Sequence, residues 1–191
     1  MEDAAPIPLT ALDLRAARTD AADVLEVVRA ITRAAFLVNP ETGLRIDGDT
    51  PPELPMVEAL LARGVAERLH VAVLEGEVVA YVLYTRGALS SDPEARVLGL
   101  TIMGVAPPLQ RRGIGTRLLD WSVLNLEGAC DALFVVGHPD FYARAGFVEA
   151  ADLGLSFPFP APSPACRVRV SPGRALSPGV LSYHPVVCSF F

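Results

Sequence analysis

Apolar and polar residues change their spacing several times along the chain, and each change marks an element. Residues 1–10 carry Pro6 and Pro8, which discourage regular structure, so the chain is expected to start loosely. Residues 11–16 read as a first strand. Val24, Val27, Val28, Ile31 and Ala35 then recur at helical spacing and predict an amphipathic helix. Asp20 is placed to cap it, with Asp23 three residues on in the manner of a capping box. Residues 39–52 are rich in turn formers and read as a loop, and a second helix is expected over 55–63, ended by Gly64.

Further on, residues 70–75 and 77–85 are two apolar runs about a Glu75-Gly76-Glu77 turn, the pattern of a hairpin. A loop over 90–94 leads to a strand over 96–105. The helix expected from Gly113 to Glu127 gathers Thr116, Arg117, Asp120 and Glu127 on one narrow arc. The rest of it is mostly apolar, as suits a helix packed broadly on a sheet. A short buried strand over 132–137 and a short helix over 139–145, stopped by Gly146, follow. Residues 156–164 contain four prolines and read as a connector, not a central strand. Final strands are expected over 167–170 and 180–183. From Ser171 onward Arg174 is the only formally charged side chain, so this tail should pack on the sheet or on a second subunit, which makes a homodimer one candidate assembly.

The resulting order, β-α-α-β-β-β-α-β-α-β, is that of an α/β protein. At 191 residues it fits one domain over 1–191, with 1–10 as a loose N-terminus and 151–191 as C-terminal strands with a Pro-rich connector. Hydrophobic residues make up 51% and charged residues 20%, which excludes a disordered chain. All sixteen basic residues are arginine, against 22 acids, for a net charge of −6. Beyond Arg111-Arg112 there is no basic cluster, so nucleic acid is not an expected partner; the acidic balance mildly favours a cationic or amine ligand. Cys130, Cys166 and Cys188 and the histidines His70, His138 and His184 are scattered, which argues against a metal site or a disulfide framework. The start lacks the pattern of a signal peptide and no apolar run reaches membrane-spanning length, so a cytoplasmic protein without a membrane partner is expected.

The chemistry concentrates at Gln110, Arg111, Arg112, Gly113, Ile114, Gly115 and Thr116, between a strand and a helix. Glycine lets backbone approach a ligand closely, and a first helical turn offers N–H groups without internal partners. The helix dipole and the arginine pair add positive potential where phosphate oxygens would sit. A Walker-type lysine is absent, and no third glycine follows at Rossmann spacing. The segment resembles the Q/R-x-x-G-x-G/A motif of the GCN5-related N-acetyltransferases (GNATs), which cradles the diphosphate of acetyl-coenzyme A. Phe141-Tyr142-Ala143-Arg144-Ala145-Gly146-Phe147 resembles that family's Y-x-x-x-G-F motif. Gly137-His138-Pro139-Asp140, Pro172-Gly173 and Tyr183-His184-Pro185 are similar to the YhbS-like branch of predicted N-acetyltransferases.

The resemblance implies a mixed, mostly antiparallel central sheet flanked by helices, with splayed central strands. It implies acetyl-CoA as co-substrate, an amine as acceptor and no metal. By the same resemblance, backbone at Met103, Gly104 and Val105 would clamp the pantetheine arm and thioester. Tyr142 would protonate the departing thiolate, since a phenol is protonated at neutral pH. His138 is a candidate base or shuttle. Two departures from the family stand out. Gly137 and His138 occupy the neighbourhood of the usual asparagine, and the strand over 98–105 lacks the usual carboxylate. The base is therefore open among Glu53, Glu58 and His70 beside His138, and a non-catalytic acyl-CoA-binding module is the competing reading.

Overall fold

The computed structural model describes residues 7–38 and 45–190. In chain order the elements are β1 (Leu12–Ala17), α1 (Ala22–Ala35), α2 (Glu53–Ala62), β2 (Ala66–Leu74), β3 (Glu77–Arg86), β4 (Ala88–Leu89), β5 (Val97–Val105) and α3 (Ile114–Leu126). There follow β6 (Ala132–Val136), α4 (Pro139–Arg144), β7 (Val148–Glu149), β8 (Leu155–Ser156), β9 (Cys166–Val170), β10 (Gly179–Ser182) and α5 (Pro185–Cys188). The fold is mixed α/β, with a mostly antiparallel sheet flanked by helices. Two compact units are distinguished, Met1–Leu83 with Ile102–Leu118 and Tyr84–Thr101 with Leu119–Phe191, so β3, β5 and α3 each contribute to both.

In the first unit β1 lies antiparallel to β2 from Leu12↔Leu74 to Ala17↔Leu69, and β2 turns into β3 through Glu75 and Gly76. Both turn residues have positive φ, 53° and 88°, the conformation of a two-residue hairpin turn whose twist matches that of its strands. Helix α1 buries Val28, Ile31 and Thr32, and α2 buries Leu54, Val57 and Leu60. The expected capping box does not form. Helix α1 begins behind Ala21 without a side-chain cap, and the Asp20 carboxylate instead takes two hydrogen bonds from the Arg18 guanidinium at 2.9 and 2.8 Å. A charge-assisted bidentate pair two residues away outcompetes a single backbone N–H. Helix α2 starts at Glu53, two residues earlier than its spacing suggests. Pro55 is tolerated inside the first turn because the N–H it lacks would have no helical partner there. Of the loop expected over 39–52, residues 39–44 lie outside the described residues, as do residues 1–6 of the N-terminus.

In the second unit β5 runs parallel to β6 over Val97↔Ala132 to Gly99↔Phe134, β6 pairs antiparallel with β9, and β9 with β7. A smaller sheet has the order β4-β10-β8. The tail packs within this unit, with Leu181, Tyr183 and Val187 buried. Helix α3 is less broadly buried than its composition suggests, since Leu124 is 62% exposed. Two tyrosine hydroxyls in the core are paired. The fully buried Tyr81 shares a 2.6 Å hydrogen bond with Thr32 in the first unit, and Tyr84 a 2.7 Å bond with Ser122 in the second. Unpaired, each hydroxyl would oppose folding by about 1–3 kcal/mol. Among the described residues no helix is long and apolar enough to cross a membrane, and no cluster of His, Cys, Asp or Glu could hold a metal ion.

Candidate functional site

Past the end of β5 the chain makes a short 3-10 turn, Pro107–Leu109, and then reverses into α3. The Gln110 side chain closes this turn by donating from Nε2 to the Val105 carbonyl at 3.0 Å. Gln110 therefore acts on the loop itself and ties it to the strand. Arg111 and Gly113 both lie in the left-handed region, at φ 58° and 80°. Left-handed residues interspersed in a turn make successive backbone N–H groups converge into an anion-binding concavity. The Gly113 carbonyl accepts the first helical bond, from Arg117 N, so the N–H groups just inside the helix start have no intrahelical partner. A Cβ at Gly113 would meet nothing within 4 Å, which leaves open space over the backbone where a ligand could come. Ile114, 1% exposed, anchors the helix start in the core.

Of the three strand residues expected to face the cofactor, Gly104 is buried and Met103 and Val105 are half-buried. Gly104 owes its identity to packing: a Cβ there would stand 3.0 Å from Tyr81 Cε1 and 3.1 Å from Ile31 Cγ2. Arg117, on the arc with Thr116, Asp120 and Glu127, does not lie open to solvent. It is half-buried, and its Nη1 is enclosed without a hydrogen-bond partner.

The second unit holds the other two predicted residues. Tyr142 sits on α4 with 7% exposure, edge-on to Phe141 and Phe147 at 5.1 and 5.8 Å between ring centroids. Burial pushes its phenol pKa well above the ordinary value, so the group is a proton donor throughout the physiological range. Among the described residues nothing hydrogen-bonds its hydroxyl, which leaves that bond available to a ligand. Gly137 explains one departure from the family pattern. A Cβ at this position would stand 2.5 Å from the Tyr142 ring, so a side chain here would displace the tyrosine. His138 is exposed at the start of α4, and its carbonyl accepts from Tyr142 N at 3.3 Å.

Tyr183 is a structural contributor that the sequence did not single out. Its hydroxyl donates to the Leu100 carbonyl on β5 at 3.2 Å and accepts from Val136 N on β6 at 3.0 Å. The parallel ladder between these strands ends at Gly99↔Phe134, so the phenol bridges them where direct pairing stops. The ring needs Gly99, whose Cβ would stand 2.5 Å from it, and leans on Phe134 at 4.7 Å. The splay of the central strands is thus held by a tyrosine wedge. The only signal for it was the Tyr183-His184-Pro185 triplet, whose role depends on contacts about eighty residues upstream.

Among the remaining candidate bases, Glu58 is exposed on α2. His70 is 3% exposed on β2, and burial, with Arg68 adding, lowers its pKa to about 4. Glu53 is half-buried at the start of α2.

Comparison with known proteins agrees with this architecture. Residues 66–149 match the model of the acetyltransferase (GNAT) domain. The N-acetyltransferase YjhQ of Escherichia coli K12, itself uncharacterized, is 33% identical over 148 residues, which cover 74% of this chain and 72% of YjhQ. The E. coli GNAT protein YhbS, solved with CoA, superposes with a TM-score of 0.73 at 21% identity, over 94% of this chain and 93% of that one. A GNAT acetyltransferase of Brucella melitensis, solved with acetyl-CoA, gives 0.68 at 21% identity, over 92% and 97% of the two chains. With a third of its aligned residues shared across nearly three quarters of both sequences, the protein belongs to the GCN5-related N-acetyltransferase family.

Proposed function

We propose that this protein transfers the acetyl group of acetyl-CoA to a primary amine by direct attack on the bound thioester. The observation that carries the reading is the loop between β5 and α3, where left-handed Arg111 and Gly113 precede helix N–H groups with no intrahelical partner. The fold relatives solved with CoA and acetyl-CoA support the choice of ligand. The N–H groups of Gly113, Ile114 and Gly115 hold the diphosphate, Arg111 and Arg112 supply positive potential, and Thr116 lies in the same first turn. Backbone at Met103, Gly104 and Val105 orients the pantetheine arm and the thioester carbonyl. Holding the thioester beside the amine converts a bimolecular encounter into an oriented one.

Tyr142 then donates its proton to the departing thiolate. Its unspent hydroxyl favours turnover over mere binding, because a phenol kept only for packing has no use for a free donor. His138, exposed one turn before Tyr142, serves in this reading as the base or shuttle. A covalent acyl-cysteine is disfavoured, since no cysteine lies in the loop and Cys130 and Cys166 are buried. The test is incubation with acetyl-CoA and a panel of primary amines, following free thiol and N-acetylated product by mass spectrometry. The chain has no lysine, so it offers no side-chain amine of its own to confuse the readout. Stoichiometric thiol and acetamide are expected. Tight CoA binding with no transfer to any amine would instead make the protein an acyl-CoA-binding module.

A further inference from the structure

Glu53 opens α2 with its carboxylate half-buried, and its Oε2 is enclosed without a hydrogen-bond partner. A desolvated carboxylate oxygen that nothing satisfies works against folding, and such a group calls for an explanation outside the fold itself. Tyr81 and Thr32 do not relieve it. Tyr81, on β3, is close enough to feel the Glu53 charge, but its hydroxyl is engaged with Thr32 at 2.6 Å, and Thr32 in turn donates to the Val28 carbonyl at 2.7 Å. The ring of Tyr81 packs on Gly104, in the stretch of β5 assigned above to the thioester. Tyr81 therefore connects an orphaned carboxylate to the backbone that holds the acyl group.

Two of the other candidate bases, Glu58 and His70, are unsuited. Glu58 is solvent-exposed. His70, with a pKa of about 4, carries no charge to attract an ammonium ion and is a weak proton acceptor at neutral pH.

We propose that the Glu53 carboxylate receives the ammonium group of the acceptor amine and takes its proton, acting as the general base of the reaction. The assignment rests on the acetyltransferase reading. One proton passes from the R–NH3+ group to Glu53, which frees the nitrogen lone pair. The C–N bond forms at the thioester carbonyl carbon as the C–S bond breaks. Tyr142 gives its proton to the thiolate and is restored by the nitrogen's second proton, the third remains in the amide, and Glu53 returns its own to solvent. Burial raises the Glu53 pKa, offset in part by its own backbone N–H, which narrows the gap to the amine. Asp23, Glu26, Arg29 and Arg33 on α1 and Glu58 on α2 are not among the groups that shift it, and Tyr81, facing it from β3, is kept protonated by burial.

The test is Glu53→Gln, assayed with acetyl-CoA and spermidine, kanamycin and a peptide with a free N-terminus from about pH 4.5 to 9.5, a window that opens at the ordinary carboxylate range. General-base loss predicts a kcat lower by about a hundredfold and the disappearance of the acidic limb of the parent's kcat/KM profile, with CoA affinity unchanged. A variant with the parent's kcat and pH profile overturns the assignment. Thermal melting provides a readout independent of turnover. Because the folded-state pKa is raised, the ionised carboxylate opposes folding above that pKa, and the effect vanishes below the unfolded pKa. Glu53→Gln should therefore melt at or above the parent's temperature at pH 7.5, with the difference closing toward pH 4. A variant less stable than the parent at pH 7.5 makes Glu53 a structural carboxylate and overturns the proposal. A parent that binds CoA but acetylates no amine refutes the acetyltransferase reading, and the melting comparison still judges whether Glu53 is held at a stability penalty.

Discussion

Replacing Tyr183 with phenylalanine isolates the wedge between β5 and β6. The substitution keeps the ring, its contact with Phe134 and its fit over Gly99, and removes only the hydroxyl. Two backbone groups lose this partner, the Leu100 carbonyl and the Val136 N–H, in a residue environment only 4% exposed. A buried polar group left unpaired opposes folding by about 1–3 kcal/mol, so the two together imply a loss of about 2–6 kcal/mol. For a chain of this size 1 kcal/mol corresponds to about 2–4 °C in Tm, and a middle value of about 4 kcal/mol gives a fall of about 8–16 °C. Circular dichroism melting of the parent and Tyr183→Phe at pH 7.5 measures it directly. A Tm lowered by less than about 2 °C would refute the reasoning, since it would mean that water or strand repacking satisfies both groups without the phenol.

Two further outcomes follow from the site. Tyr142→Phe keeps the ring stack with Phe141 and Phe147, so its CoA affinity, measured by calorimetry, should match the parent's; its kcat should fall by about ten- to a thousandfold, and less for a donor with a more acidic thiol. Unchanged turnover under conditions where chemistry is rate-limiting would leave Tyr142 a packing residue. Arg112→Ala should weaken CoA binding in low salt by more than in 1 M salt, because Debye screening removes most of the contribution of a charge near the surface, and an equal loss at both salt concentrations would contradict an electrostatic role.

The loop from Gln110 to Thr116 was legible because three local signals coincide there: an apolar strand, a glycine-bearing turn and an immediate helix. Local signals also placed the hairpin, since Glu75-Gly76 carries its own turn geometry. Strands β4, β7 and β8 are two residues long, too short to show a period. β2 begins four residues before the apolar run at 70–75, because exposed Glu67 and Arg68 interrupt the pattern. The start of α1 turned on a competition between Arg18 and the backbone for Asp20, which spacing alone does not rank. Tyr183 and Glu53 depend on tertiary placement. One reaches strands far upstream, and the other becomes an orphan only when its carboxylate is closed off from solvent.

The central claim, that the loop opening α3 holds the diphosphate of CoA, is tested most directly by isothermal calorimetry of CoA with Gly113→Val. Gly128→Val is a matched control: both glycines lie at φ near 80° with open space where a Cβ would stand, so the two variants carry similar backbone strain. Gly128 lies outside the loop, just past the end of α3. The account predicts that Gly113→Val weakens CoA binding by at least about tenfold, or about 1.4 kcal/mol, while Gly128→Val binds like the parent. A folded Gly113→Val protein with the parent's CoA affinity would contradict it.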